Sequence, residues 1–265
     1  MNTKHNQRKT NHMAVMDEFK EERENIKNGT PKQKLTYFWG YYKWYVIIPV
    51  IIVSVIGWYI YHVVTTPETV LSGILINTHS LGNDDDPTTD IINKFYELQE
   101  IDTSEYSIDL NDSLSWMTGE NADAANYETT QALMAWIAAG SVDFITGDLD
   151  AMTEIAYKSY FVDLSEVLTE EQYAQYEPYF LYIDEAVIEQ RQVAFDNDKD
   201  ASEITIPNCA EPETMEKPIP VMIDMSRSQK LMDIYGESTD TVVLSITENA
   251  PHKDLTLEFI GYLTE

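Results

Sequence analysis

The sequence predicts one membrane-spanning helix followed by a single layered α/β domain, and three observations carry that reading. The nineteen residues from Val46 to Val64, VIIPVIIVSVIGWYIYHVV, contain no Asp, Glu, Lys or Arg. From Val70 onward, short apolar runs alternate with amphipathic stretches, the pattern of strands and helices built around one sheet. Charge divides the chain near the same place. Residues 1–43 hold nine of the 17 Lys/Arg and five of the 46 Asp/Glu, which leaves the rest with eight bases against 41 acids, a net −33. Four segments are therefore expected: a cytoplasmic tail and juxtamembrane stretch over 1–45, the span over 46–64, a linker over 65–69 and an extracytoplasmic α/β domain over 70–265.

The tail is polar and mixed in charge as far as the turn signal Asn28-Gly29-Thr30-Pro31. From Lys32 to Lys43 basic residues alternate with Leu35, Tyr37, Phe38 and Trp39, a composition expected of a helix lying in the inner headgroup layer. In the span, twelve of the nineteen residues are Val or Ile. In water so many β-branched side chains would favour a strand, but a segment in lipid must satisfy its own backbone groups and is forced into a helix. At about 1.5 Å per residue this helix is roughly 28 Å long, close to the thickness of the hydrocarbon layer. Tyr41, Tyr42, Trp44 and Tyr45 at one end, with Trp58, Tyr59 and Tyr61 at the other, match interfacial aromatic belts. Pro49 falls in the first turn of the apolar part, where a missing N–H does least harm. Lys27, Lys32, Lys34 and Lys43 precede the span and the first base after it is Lys94, so the N-terminus is expected inside. Thr65-Thr66-Pro67 is no small-x-small cleavage site, which argues against a removed signal peptide.

In the outer part, Val70–Asn77 reads as a strand and Asp86-Pro87 opens a helix that places Ile91, Phe95 and Leu98 on one face. Tyr106–Leu110 is a second strand. A helix from Tyr127 to Ala139 aligns Leu133, Trp136 and Ile137, and Gly140 ends it before a strand over Val142–Thr146. A helix over Leu149–Tyr157 follows; later come strands over Ile219–Met225 and Thr241–Ile246. A closing helix from His252 to Leu263 turns Leu255, Phe259 and Ile260 inward. Such alternation predicts a largely parallel sheet.

Two stretches carry a resemblance. The run ETTQALMAWIAAGSVDFITGDLDAMTEIAYKSYFVDLSEVL, Glu128 to Leu168, and the terminal TVVLSITENAPHKDLTLEFIGYL are similar to the bacterial extracellular solute-binding proteins of transport systems. The family pattern is a helix ending in a small-small-Gly step, an Asp-containing strand and a DLS segment, with a returning strand and helix at the end. The resemblance implies one lobe of a periplasmic-binding-protein-like fold and a non-catalytic solute-binding or sensing role. Only about 50 residues lie between Leu168 and Ile219, too few for a second lobe, and the helical span stands where the family carries a lipid-modified cysteine. The anchor sequence KLTYFWGYYKWYVII is itself similar to those of membrane proteins of Gram-positive anaerobes. The other reading of the outer domain is a protein-interaction or structural domain of a cell-envelope complex, since a fold alone does not fix a function.

Excess negative charge excludes nucleic acid, because phosphate contacts need bases this domain lacks. The membrane is the expected partner, with a small-molecule solute or an envelope protein on the outer side. No P-loop, dinucleotide glycine pattern, metal motif or nucleophile elbow is present, so no catalytic residue, metal site or cofactor is implied and the chain is not expected to be an enzyme. Asp196-Asn197-Asp198-Lys199-Asp200 starts like a calcium loop, but Ala201 and Pro207 stand where such loops need Gly and Glu. His79 and His252 are expected at the surface, Asn83-Asp84-Asp85-Asp86 in a loop leading to a helix, and Cys209, the sole cysteine, as a small buried hydrophobe. In open α/β sheets a ligand meets the carboxyl ends of the strands, where helix N-termini and polar loops converge. That edge is expected to carry Asn77, Thr146, Gly147, Asp148, Ser226 and Arg227; Trp116, from the polar stretch Asn111–Asn126, either closes over it as a stacking platform or packs locally.

Overall fold

A computed structural model describes residues 27, 29–78, 87–119, 122–197, 199, 201, 204–236 and 239–265. The tail before Lys27, His79, the acidic run 83–86, Asp198 and Asp200 lie outside the described residues. Two compact units meet between Thr66 and Pro67.

The first unit is dominated by one helix, α1 (Pro31–Thr65). Pro31 stands at its first position, where the missing N–H is no loss, and the Gln33 side chain accepts the Thr30 N–H. The stretch before the apolar run is thus continuous with it, so that Pro49, in the first turn of the apolar part, lies well inside a longer helix. Within α1, Tyr42–Thr65 is long and apolar enough to cross a membrane, and it is exposed all round. The helix stops where Pro67 disfavours helical geometry in Thr66, whose N–H bonds the His62 carbonyl.

The second unit is a six-stranded sheet between two layers of helices. Its elements run β1 (Glu68–Leu75), α2 (Pro87–Leu98), β2 (Tyr106–Asn111), α3 (Ala122–Ala125), α4 (Tyr127–Ala138), β3 (Phe144–Asp148), α5 (Leu149–Ala156), α6 (Leu164–Val167), α7 (Glu170–Tyr176), β4 (Phe180–Asp184), α8 (Glu185–Asp196), β5 (Pro218–Asp224), α9 (Gln229–Tyr235), β6 (Val242–Ile246) and α10 (Lys253–Thr264). Strand order is β2-β1-β3-β6-β5-β4. The β2-β1-β3 half is parallel, as expected, but β3–β6, β6–β5 and β5–β4 are all antiparallel, so the sheet is mixed. Alternating strands and helices suit either direction of return, because strands buried on both faces fit parallel and antiparallel neighbours alike, and after β5 the chain packs α9 on one face and turns back into β6.

Alternation along the strands sorts the core into two layers. Leu71, Leu75, Phe144 and Leu244 face α2, α9 and α10, where Phe95 and Phe259 meet edge to face at 4.9 Å. Ile74, Ile76, Ile145 and Val243 face α4, α5 and α8 through Leu133, Ile137, Met152, Ile155 and Val187. Ile91 and Phe95 of the predicted face are buried, but Leu98 is exposed at the helix end, and Trp136 and Leu255 are only partly covered. Gly73 is required by packing: a Cβ there would land in the Phe144 ring.

Two buried carboxylates pin these layers. Asp143, fully buried, accepts the N–H groups of Ser72 at 2.8 Å and His252 at 2.7 Å, and the His252 ring nitrogen Nδ1 lies 3.2 Å away. His252 is therefore half-buried against the core, unlike the surface residue the sequence implied. Asp184 caps α8 and accepts N–H groups from Ala186 at 3.0 Å, Glu216 at 2.9 Å and Lys217 at 2.9 Å. Burial pushes its pKa up, but these three donations outweigh that and hold it below the usual carboxylate value. Cys209 is buried against the α5 side of the sheet and burial raises its thiol pKa.

Candidate functional site

The carboxyl ends of β1, β2, β3 and β5 lie on one edge of the sheet, because β5, twice reversed through β6, runs in the same direction as β3. There the structure brings together three of the predicted residues. Asn77, held at φ 59°, donates from Nδ2 to the Trp116 carbonyl at 2.9 Å and to Asp148 Oδ2 at 2.7 Å, while its Oδ1 accepts the Trp116 N–H at 2.7 Å. Asp148 also caps α5 through Oδ1 and the Ala151 N–H, 2.9 Å. Both amide hydrogens and the oxygen of Asn77 are thus engaged inside the protein, which makes it a clamp on the 112–117 loop.

The Trp116 ring and the four other predicted residues are placed otherwise. Trp116 is no exposed platform: it is 4% exposed, packs in the α5-side core and donates Nε1–H to Glu154 at 2.9 Å. Of the two readings open for it, local packing is the one its burial matches. Thr146 is sealed in the interior beside the Tyr235 phenol, neither hydroxyl having a well-aligned partner. Burial, helped by the Asp148 charge, drives the Tyr235 pKa far up against a smaller opposing pull from Thr146. Gly147 is tightly packed, since a Cβ would come within 3.1 Å of Met152 on α5 and 3.3 Å of Ile76. Ser226 closes a turn on Asp224, with N–H and Oγ both on Oδ1 at 2.8 and 2.6 Å. Arg227 is exposed and stacks its guanidinium 3.6 Å from the Tyr179 ring centre. What stays open at this edge is a polar cleft of about 540 Å³ between Asn77, Asp148 and the Thr239–Thr241 loop.

A larger groove, about 760 Å³, lies on the opposite edge, where β4 and β6 end and β5 begins. Its floor is apolar, formed by the buried or half-buried Phe161, Val162, Ile183, Ile188 and Ile219, with the exposed Val193 at its border. Its rim is acidic, with Asp163, Glu166, Glu185, Glu189 and Glu248. One wall is α8, a helix with two employed faces: Ala186, Val187 and Ala194 are buried, whereas Glu185, Ile188, Glu189, Gln192 and Val193 recur at three- and four-residue spacing along the groove. Lys217 stands beside the wall, 2.7 Å from Glu189 Oε1 and 4.0 Å from Glu185, and the bond to Glu189 raises its pKa. Asp163 caps α6 through Ser165. Glu166 and Glu248 make no ion pair among the described residues. Sequence reading missed this groove because β4 and α8 were unassigned; the signal was there in Pro178, the alternation FLYI and the cap Asp184 before a helical spacing of Val187, Ile188 and Arg191.

Among the described residues no group of three or more His, Cys, Asp or Glu side chains is placed to hold a metal ion. Compared with protein-family models, with curated proteins and with solved structures, the chain matches none of them.

Proposed function

We propose that the chain is a non-catalytic, membrane-tethered binding or sensing module, with α1 in the bilayer and Pro67–Glu265 displayed outside as a single solute-binding-protein-like lobe. The observation that carries this reading is the α8 groove: a concavity of about 760 Å³ falls within the range of ligand sites, and it combines an apolar floor with a polar rim open to solvent. Orientation rests on Lys27, Lys32, Lys34 and Lys43 before the span, against a first Lys or Arg after it only at Lys94. The likeness of Glu128–Leu168 and of the terminal strand and helix to solute-binding proteins agrees with a module that holds a ligand without transforming it. A second reading, an interaction or structural domain of an envelope complex, is favoured by Val193 and Phe195, which are 61% and 74% exposed on α8.

The two separate in a thermal-shift screen of the full chain in nanodiscs, with sugars, amino acids, peptides and polyamines as ligands. A ligand at a hundredfold excess over its Kd should raise the midpoint by about 5 to 10 °C. The rise should vanish in Ile188→Asp, which puts a charge on the groove floor. An unmoved midpoint with all four classes overturns the module reading in favour of the interaction domain.

A further inference from the structure

From the chemistry of the α8 groove we propose that its ligand is a cationic amphipathic peptide taken from solution, bound as a short helix alongside α8. The inference rests on the binding-module reading and names the ligand for the same groove.

Shape and charge narrow the choice. Sites for small solutes fix orientation with a few rigid, convergent polar groups. Here the exposed polar groups are at the perimeter, mostly long carboxylate side chains, while the floor offers Phe161, Val162, Ile183, Ile188 and Ile219, with no side-chain donor among them. An apolar centre inside a charged rim is the anatomy of a peptide or protein contact. The rim carries one sign: all five of its ionisable groups are acids, and Lys217 engages only the Glu185–Glu189 end, leaving Glu166, Glu248 and the α6 cap Asp163 facing the groove without a cation among the described residues. A ligand must therefore bring apolar groups to the floor and ammonium or guanidinium groups to the rim, both on one body. Periodicity supplies the body. The groove residues of α8 span Glu185 to Val193, about 12 Å or a little over two turns, and an apolar stripe flanked by Lys or Arg at three- and four-residue spacing matches that wall. A second copy of the domain is a poor occupant, since its −33 surface repels this rim.

The test uses the full chain in nanodiscs of zwitterionic phosphatidylcholine, with empty nanodiscs as blank. The probe is a fluorescent peptide of Leu and Lys with an amphipathic helical pattern, about four turns long. Controls are the same peptide with Glu for Lys, and a scrambled Leu/Lys peptide lacking a continuous apolar face. Anisotropy should show saturable binding of the patterned basic peptide, weakening as salt rises, and at least tenfold weaker binding of both controls. Glu166→Gln/Glu248→Gln should weaken the basic peptide about threefold to tenfold and flatten the salt dependence, with an unchanged melting midpoint. Ile188→Asp should weaken it further. Equal affinity for basic and acidic peptides, or for wild type and both variants, overturns the proposal. If the basic peptide fails while a neutral compound shifts the wild-type midpoint and not that of Ile188→Asp, the charge assignment falls and the binding-module reading stands.

Discussion

Asp184 shows how a single side chain sets the groove's wall. It ends β4, starts α8 and fastens the approach to β5, with three backbone donors on one carboxylate. Asp184→Asn keeps the shape but loses the charge that strengthens those bonds, so chemical denaturation should report a loss of about 1 to 3 kcal/mol. The pH dependence has a definite sign. A carboxyl whose folded pKa lies below its unfolded value of about 3.9 stabilises the protein above that value, and the contribution disappears as pH falls through the folded pKa. The difference between wild type and Asp184→Asn should therefore shrink on acidification below about pH 4 and stay constant from there to neutrality. Trp116 teaches a complementary lesson. Its size suited local packing as much as a ligand platform, and its polar neighbours Asn111–Asn126 could not decide between them, because the clamp on its loop comes from Asn77, 39 positions away. Trp116→Ala should cost about 3 to 5 kcal/mol of stability, the loss expected for a core aromatic. A merely ligand-facing tryptophan would leave the unfolding midpoint in place.

At the level of strands and helices, local chemistry and long-range pairing separate. Strands β5 and β6 and helices α4, α5 and α10 were legible to within about two residues, since their apolar spacing and their flanking Gly, Pro and Asp act locally. The partners of a strand are not local. Periodicity says that Val242–Ile246 is buried on both faces, which is true of parallel and antiparallel interiors alike, and so could not tell that β6 slots in reverse between β3 and β5. The same limit hid the groove, whose floor is assembled from β4, β5, α8 and the chain between α5 and α6. Close approach of β1 to β3 is equally non-local. Gly73→Ala would push the Phe144 ring out of its layer, and a loss of about 1 to 3 kcal/mol in denaturant unfolding is the expected outcome. A neutral effect would mean the ring can swing aside freely.

Over the whole chain, the lysines that precede the uncharged stretch Val46–Val64 make topology the most direct property to measure. Protease added to intact protoplasts should remove a tag placed after Glu265 and spare one placed before Met1; protection of the C-terminal tag would reverse the assigned orientation. The two compact units further predict that cutting near Thr66 frees a domain whose core is entirely its own. That core encloses Cys209, the chain's only cysteine, 6% exposed and held away from the thiolate form by burial. An accessible lone thiol can couple chains or be capped under oxidising conditions; here such reactions must wait for the fold to open. The residue thus works as a clock on breathing motions: in an alkylating reagent, the modification rate at Cys209 equals the rate at an unprotected thiol multiplied by the fraction of molecules open at that moment. An occupant that stiffens the sheet should slow the clock, and an agent that loosens it should speed it, with no label to install and no second thiol to confuse the reading.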